Sequence, residues 1–125
     1  MSPTDLPNDD LHVDQRVEGT AVVVRATGDI DMATAPVLAK ELAHATKTVT
    51  PPTLIVADLR EVQFFGSSGI GTLILAHQQC QKRNITLRVV AGPSLTKRLD
   101  ISGLMGFLTI YLTLTEALDS SDRTA

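Results

Sequence analysis

The amino-acid sequence predicts a single α/β domain: a mixed β-sheet with a parallel centre, an antiparallel hairpin at its N-terminal edge, and about four helices. Three observations carry this. Two strand-like runs, Leu11 to Val17 and Ala21 to Ala26, are separated only by Glu18-Gly19 and Thr20, which is hairpin spacing with glycine available for a positive backbone angle. The run Thr53-Leu54-Ile55-Val56-Ala57-Asp58-Leu59 is almost continuously apolar and lies between prolines and charges, as expected of a central strand covered on both faces. After it, helical and strand patterns alternate, and parallel strands need such crossover helices.

Each element follows in order. Residues 1–10 contain two prolines and three aspartates with little to bury, so they read as a flexible tail, and the folded domain is expected over 11–119. Behind the hairpin, Gly28-Asp29-Ile30-Asp31 breaks the strand pattern as a loop. Thr34 before Ala35-Pro36 is a helix start with a capping hydroxyl, and Val37, Leu38, Leu42 and Ala45 share a face of the helix. That helix should stop between Thr46 and Val49, ahead of Pro51-Pro52. Beyond the central strand, Ile70, Leu73, Ile74, His77 and Gln81 recur at helical spacing, and Asn84 offers a stop. Ile85 to Ala91 alternates like a strand, and Gly92-Pro93 ends it. Ser94 then caps a short helix with Leu95 and Leu99, closed by Gly103 and its apolar follower Leu104. A last strand spans about Leu108 to Leu112. Thr113 and Glu116 have capping-box spacing for a final short helix carrying Ala117 and Leu118, and 120–125 forms a second tail.

Composition narrows the function. The chain has 125 residues, a formal charge of -3 with both signs interspersed, and one cysteine, Cys80. No basic stripe points to nucleic acid, no polybasic segment to a membrane surface, and no apolar run approaches the ~20 residues that span a bilayer. The N-terminus lacks a basic and then apolar leader, and a lone cysteine suits a reducing compartment, so the protein is expected in the cytoplasm.

In an open α/β sheet the loops at the carboxyl ends of strands carry the sites. Gly28 to Asp31 and Gly66 to Gly69 both leave strands and enter helices, so they should share one edge. The second loop lies in Phe64-Phe65-Gly66-Ser67-Ser68-Gly69-Ile70-Gly71. Dinucleotide binding fits poorly, since the glycines are one residue too tight for the GxxxGxG of short-chain dehydrogenases, and Ala91-Gly92 stands where a ribose-binding acid would end the next strand. A serine-hydrolase elbow, G-x-S-x-G, would need glycine at Phe65 or at Ile70, and His77 sits on the helix's own apolar face. The residues therefore predict no enzymatic activity, no metal and no cofactor. Two readings of the serines stay open: a helix cap, or a hydroxyl that accepts a phosphoryl group where the helix N-terminus tolerates an anion.

Asp58-Leu59, Val62, Phe64, Ser67-Ser68-Gly69-Ile70-Gly71, Gly92, Leu99 and Ser102-Gly103-Leu104, with the earlier Gly28-Asp29-Ile30-Asp31, together resemble the STAS domain of bacterial anti-sigma factor antagonists. The similarity runs from about Val13 to Leu118. It implies a switch protein that binds an anti-sigma factor with serine kinase activity and so frees a sigma factor, with a serine phosphatase able to reset it. The family's phosphorylated serine matches Ser67, with Ser68 as the alternative acceptor, and the implied partner-binding residues are Asp29, Ile30, Asp31, Gly66, Ser67, Ser68 and Gly69. Gly66 departs from the pattern, because the family usually has an aspartate directly before the phosphorylated serine. The other role open to such a domain is a scaffold or subunit of a larger signalling or transporter assembly that is not switched by phosphate.

Overall fold

The computed structural model describes residues 11–47, 54–101 and 108–119. Its elements are β1 (Leu11–Glu18), β2 (Ala21–Ile30), α1 (Ala35–Ala45), β3 (Leu54–Phe65), α2 (Ser67–Lys82), β4 (Thr86–Val90), α3 (Pro93–Ile101), β5 (Thr109–Tyr111) and α4 (Leu114–Asp119). The strands form one sheet in the order β1-β2-β3-β4-β5, antiparallel between β1 and β2 and parallel elsewhere. The expected hairpin edge, parallel centre and central β3 are all present.

Glu18 pairs with Ala21, leaving Gly19-Thr20 as a two-residue turn, and Gly19 has φ 66°. Such a turn matches the right-handed twist of its strands, and glycine adopts the required angle without a Cβ clash. The strand period of two then divides the core. Val22, Val24, Ala26, Ile55, Ala57, Leu59, Leu87 and Val89 meet Leu38 and Leu42 of α1, Leu73, Ala76 and Cys80 of α2, and Leu99 of α3 in one cluster. On the other face Val23, Val56 and Val90 pack under Ala117, Leu114 and Leu118 of α4. Each large apolar side chain withdrawn from water in these layers contributes about 1.5–3 kcal/mol, which orders the short helices that could not persist alone.

One carboxylate is buried on the α4 face. Asp58, 2% exposed, accepts hydrogen bonds from Arg60: at Oδ1 from the backbone amide (3.2 Å) and Nε (2.9 Å), and at Oδ2 from Nη2 (2.8 Å). Burial pushes the carboxyl up, but these bonds and the charges of Arg60 and Arg25 outweigh it and hold Asp58 below the usual carboxylate range.

Several elements differ from expectation. β2 continues through Gly28-Asp29 to Ile30 and stays paired with β3, which carries one extra residue at each of two register shifts, opposite Arg25–Thr27 and opposite Gly28–Asp29. β3 likewise runs to Phe65. The buried face of α2 is Gly69, Leu73, Ala76 and Cys80, while Gln81 is exposed. α2 stops where foreseen, with Asn84 at φ 60°. α3 begins at Pro93, and the Gly92 carbonyl takes the Thr96 amide at 2.9 Å, so Ser94 lies inside the first turn instead of capping it. β5 is shorter than the predicted strand. Of the capping box on α4, the Thr113 half is present: Oγ1 accepts the Glu116 amide at 3.1 Å. α1 ends at Ala45 with Thr46 as its C-cap, at the near end of the expected stop. The expected tails, Pro51-Pro52 and the Gly103-Leu104 cap lie outside the described residues.

Candidate functional site

The carboxyl ends of β2 and β3 are neighbours: Asp29 pairs with Phe64 and Ile30 with Phe65. Just beyond, the Gly66 amide donates to the Ile30 carbonyl at 2.8 Å, so the two loops lie on one edge, as expected.

The first loop is closed by Asp31. Its Oδ1 accepts the amides of Ala33 (2.9 Å) and Thr34 (3.0 Å), and its carbonyl accepts the Ala35 amide at 2.8 Å. Asp31 thus does the work assigned to Thr34. The Thr34 backbone, at φ -101° and ψ -20°, is already near-helical and cannot fold its hydroxyl onto the helix amides. The buried Thr34 Oγ1 turns back instead, donating to the Asp29 carbonyl at 2.8 Å and accepting the Asp31 amide at 2.9 Å.

The second loop places Gly66 at the N-cap of α2, extended at φ -86° and ψ -179°, with no side-chain cap. Ser67 and Ser68 are the first two helical residues, exposed and half-buried respectively. Their amides have no helical carbonyl to bond, while the Gly66 carbonyl takes the Gly69 amide at 3.0 Å. Neither serine caps the helix. What the position offers is an exposed hydroxyl beside unpaired amides and the positive end of a 16-residue helix, where an anion is stabilised.

Packing fixes this hydroxyl in place. A Cβ on Gly69 would lie 2.7 and 2.8 Å from Phe65 ring carbons and 2.9 Å from Ile30 Cγ2, so only glycine lets α2 approach the strand ends this closely. That also corrects the surface expected here. Ile30 is 0% exposed and Gly69 is buried, so both support the edge from beneath and face no partner, leaving Asp29, Asp31, Gly66, Ser67 and Ser68 at the surface of the edge. Phe64 is 48% exposed, because adjacent strand residues point to opposite faces and Phe65 takes the inner one. Met32, between the loop's two anchors, is 83% exposed. Sequence reasoning passed over Met32 and Phe64 as surface residues. A second missed signal is that Ser67 to Gln81 contains no charged side chain, although much of α2 faces solvent. Depletion of charge with exposed apolar anchors is the composition of an interface core.

Among the described residues no hydrogen bond joins Ser67 or Ser68 to a histidine, and no group of three His, Cys, Asp or Glu side chains could hold a metal. No described helix is long and apolar enough to cross a membrane.

The architecture is shared with known proteins. The STAS domain family model matches residues 12–117. The chain belongs to the STAS domain family of anti-sigma factor antagonists. A crystal structure of an anti-sigma factor antagonist from Mycobacterium paratuberculosis is 30% identical, with a TM-score of 0.79 over 90% of this STAS domain protein and 94% of that chain. Rv2638 of Mycobacterium tuberculosis, provisionally named an anti-anti-sigma factor, is 28% identical over 113 residues, 90% of this chain and 76% of that one. The anti-sigma factor antagonist SpoIIAA shares the fold in its unphosphorylated form (20% identity, TM-score 0.70, 86% of this chain and 94% of that one). It does so too in the phosphorylated form from Bacillus (21%, TM-score 0.64, 86% and 97%).

Proposed function

We propose that this STAS domain protein is a cytoplasmic regulator without catalytic activity of its own, which binds an anti-sigma factor through the edge carrying Ser67 and thereby releases a sigma factor. Phosphorylation of Ser67 by the partner's serine kinase activity would switch binding off, and a serine phosphatase would restore it; ATP and magnesium belong to the partner. The observation that carries the reading is Ser67 itself: an exposed hydroxyl at an uncharged helix start, on the same edge as the exposed apolar Met32 and Phe64. The fold accepts a phosphate there at little cost, whereas a partner surface must desolvate it beside Asp29 and Asp31, which repel it. That SpoIIAA exists in both unphosphorylated and phosphorylated forms supports a switch on this fold.

Gly66 favours a second reading. Without the acidic neighbour usual in the family, the edge could serve a constitutive STAS scaffold or a subunit of a larger signalling or transporter assembly. Affinity capture from bacterial extract with wild type and Ser67→Asp as baits separates the two. The switch predicts an ATPase-like kinase captured only by wild type, and phosphate on Ser67 in the tryptic peptide Glu61–Lys82 after addition of ATP. Equal capture by both baits with neither serine phosphorylated would overturn it in favour of the scaffold.

A further inference from the structure

The ring of Phe64 lies against the residue that precedes Ser67: a Cβ on Gly66 would be 3.2 Å from Phe64 Cε2. Arg98 of α3 sits over the same ring, with Cζ 6.0 Å from its centroid. One aromatic side chain therefore separates a guanidinium from the start of α2. Among the described residues Arg98 engages nothing else, and it is exposed on a long, flexible stem.

We propose that Arg98 is the internal counter-charge for a phosphate on Ser67, drawn off the Phe64 ring when the serine is modified. The inference rests on the reading of Ser67 as the modified residue. An exposed guanidinium–ring contact is weak, whereas a guanidinium–phosphate pair is charge-assisted and bidentate, so the exchange favours the phosphate. The charges around the site leave this role to Arg98. Asp29 and Asp31 repel a phosphate, and the Asp31 carboxylate is already engaged with the Ala33 and Thr34 amides. Glu61 and Asp100 are anionic, and Lys97 is the neighbouring cation on α3, a point charge without a planar fork. Gly66 acquires a purpose in this arrangement. An acidic side chain there would lie against Phe64 and compete for Arg98, whereas glycine leaves the cation free for the modified serine. Modification then changes two features of the edge together, adding a phosphate and uncovering the Phe64 ring.

The test uses the full chain with phosphoserine incorporated at position 67 by genetic encoding, so that no kinase is needed. 31P NMR titration gives the pKa of the phosphate in the wild-type background, in Arg98→Gln and in Arg98→Lys. A counter-charge favours the dianion, so the pKa should be lower in the wild-type background than in Arg98→Gln by about 0.5, roughly a threefold change in proton affinity, with Arg98→Lys in between. Identical titrations of wild type and Arg98→Gln would overturn the proposal, and Arg98→Lys keeps it testable if Arg98→Gln fails to fold. The same phosphoproteins assayed for anti-sigma factor binding separate the two claims. Unimpaired binding despite a shifted pKa would refute the switch and leave Arg98 in place, whereas impaired binding with unshifted pKa would do the reverse.

Discussion

The amide of Gly66 donates a 2.8 Å hydrogen bond to the carbonyl of Ile30. It joins the N-cap of α2 to the last residue of β2, and both groups sit where helix and strand ladders have ended and a backbone partner is otherwise lacking. The position of Ser67 is thus set by the end of a neighbouring strand as well as by its own helix.

Gly69 is the packing counterpart of that bond. Gly69→Ala places a methyl within 2.7–2.9 Å of Phe65 and Ile30, and should destabilise the fold by about 1–3 kcal/mol. Gly71→Ala, which meets nothing within 4 Å on the exposed side of the same helix, should stabilise by about 0.5–1 kcal/mol. Thermal unfolding of the two variants checks this, since their midpoints should move in opposite directions.

Asp31 holds its loop while Asp29 faces the edge, so two neighbouring acids should behave differently. Asp31→Ala removes acceptors from the Ala33 and Thr34 amides and should cost about 0.5–2 kcal/mol, as for other lost caps. Asp29→Ala should stay within about half a kcal/mol of wild type. Urea unfolding of both variants measures the difference.

The Asp58–Arg60 pair should fail asymmetrically. Arg60→Ala leaves a buried carboxylate without the guanidinium that neutralises it, whereas Asp58→Asn leaves an arginine that is 41% exposed and can be solvated. Arg60→Ala should therefore be the more destabilising, by about 1–3 kcal/mol, in chemical unfolding at neutral pH. Because the folded pKa of Asp58 lies below its unfolded value, the pair's contribution is fully present above about pH 4 and is lost as pH falls through the folded pKa. Stability of Asp58→Asn should lack that part of the acid dependence.

Burial pushes the Cys80 thiol up to about 11, with the nearby Arg83 charge opposing this. The folded protein at pH 8 should resist a thiol reagent that labels the urea-unfolded chain rapidly, because the thiolate is the reactive species. Fast labelling of the folded state would show that α2 opens locally.

Much of this structure was legible in the chain because burial writes itself into residue type. Ile55 to Leu59 are buried side by side, and only a central strand covered on both faces tolerates that string. The hairpin could be read from Gly19 for an equally local reason. What escaped depended on residues whose burial leaves no apolar mark. The face of α2 was read as Ile70, Leu73, Ile74, His77 and Gln81, whereas the buried set is Gly69, Leu73, Ala76 and Cys80, a stripe centred about one residue earlier. A glycine chosen for close approach does not register as core, and a one-residue offset rotates a helix by about 100°. The site was legible as an edge and a serine, because turn chemistry is local. Which of Phe64 and Phe65 faced inward depended on bulges that tertiary pairing alone creates, and Ile30 inside a polar loop was hidden for the same reason.

If the switch operates as proposed, a phosphate on Ser67 breaks the complex with the anti-sigma factor and leaves the fold intact. Calorimetric titration of that factor with the protein carrying serine or phosphoserine at position 67, alongside the unfolding midpoint of each form, reads both halves of that statement. The midpoints should lie within a few degrees of each other, and the phosphoserine form should bind at least about a hundredfold more weakly, a loss of ~2.7 kcal/mol. Equal affinities for the two forms would refute the switch.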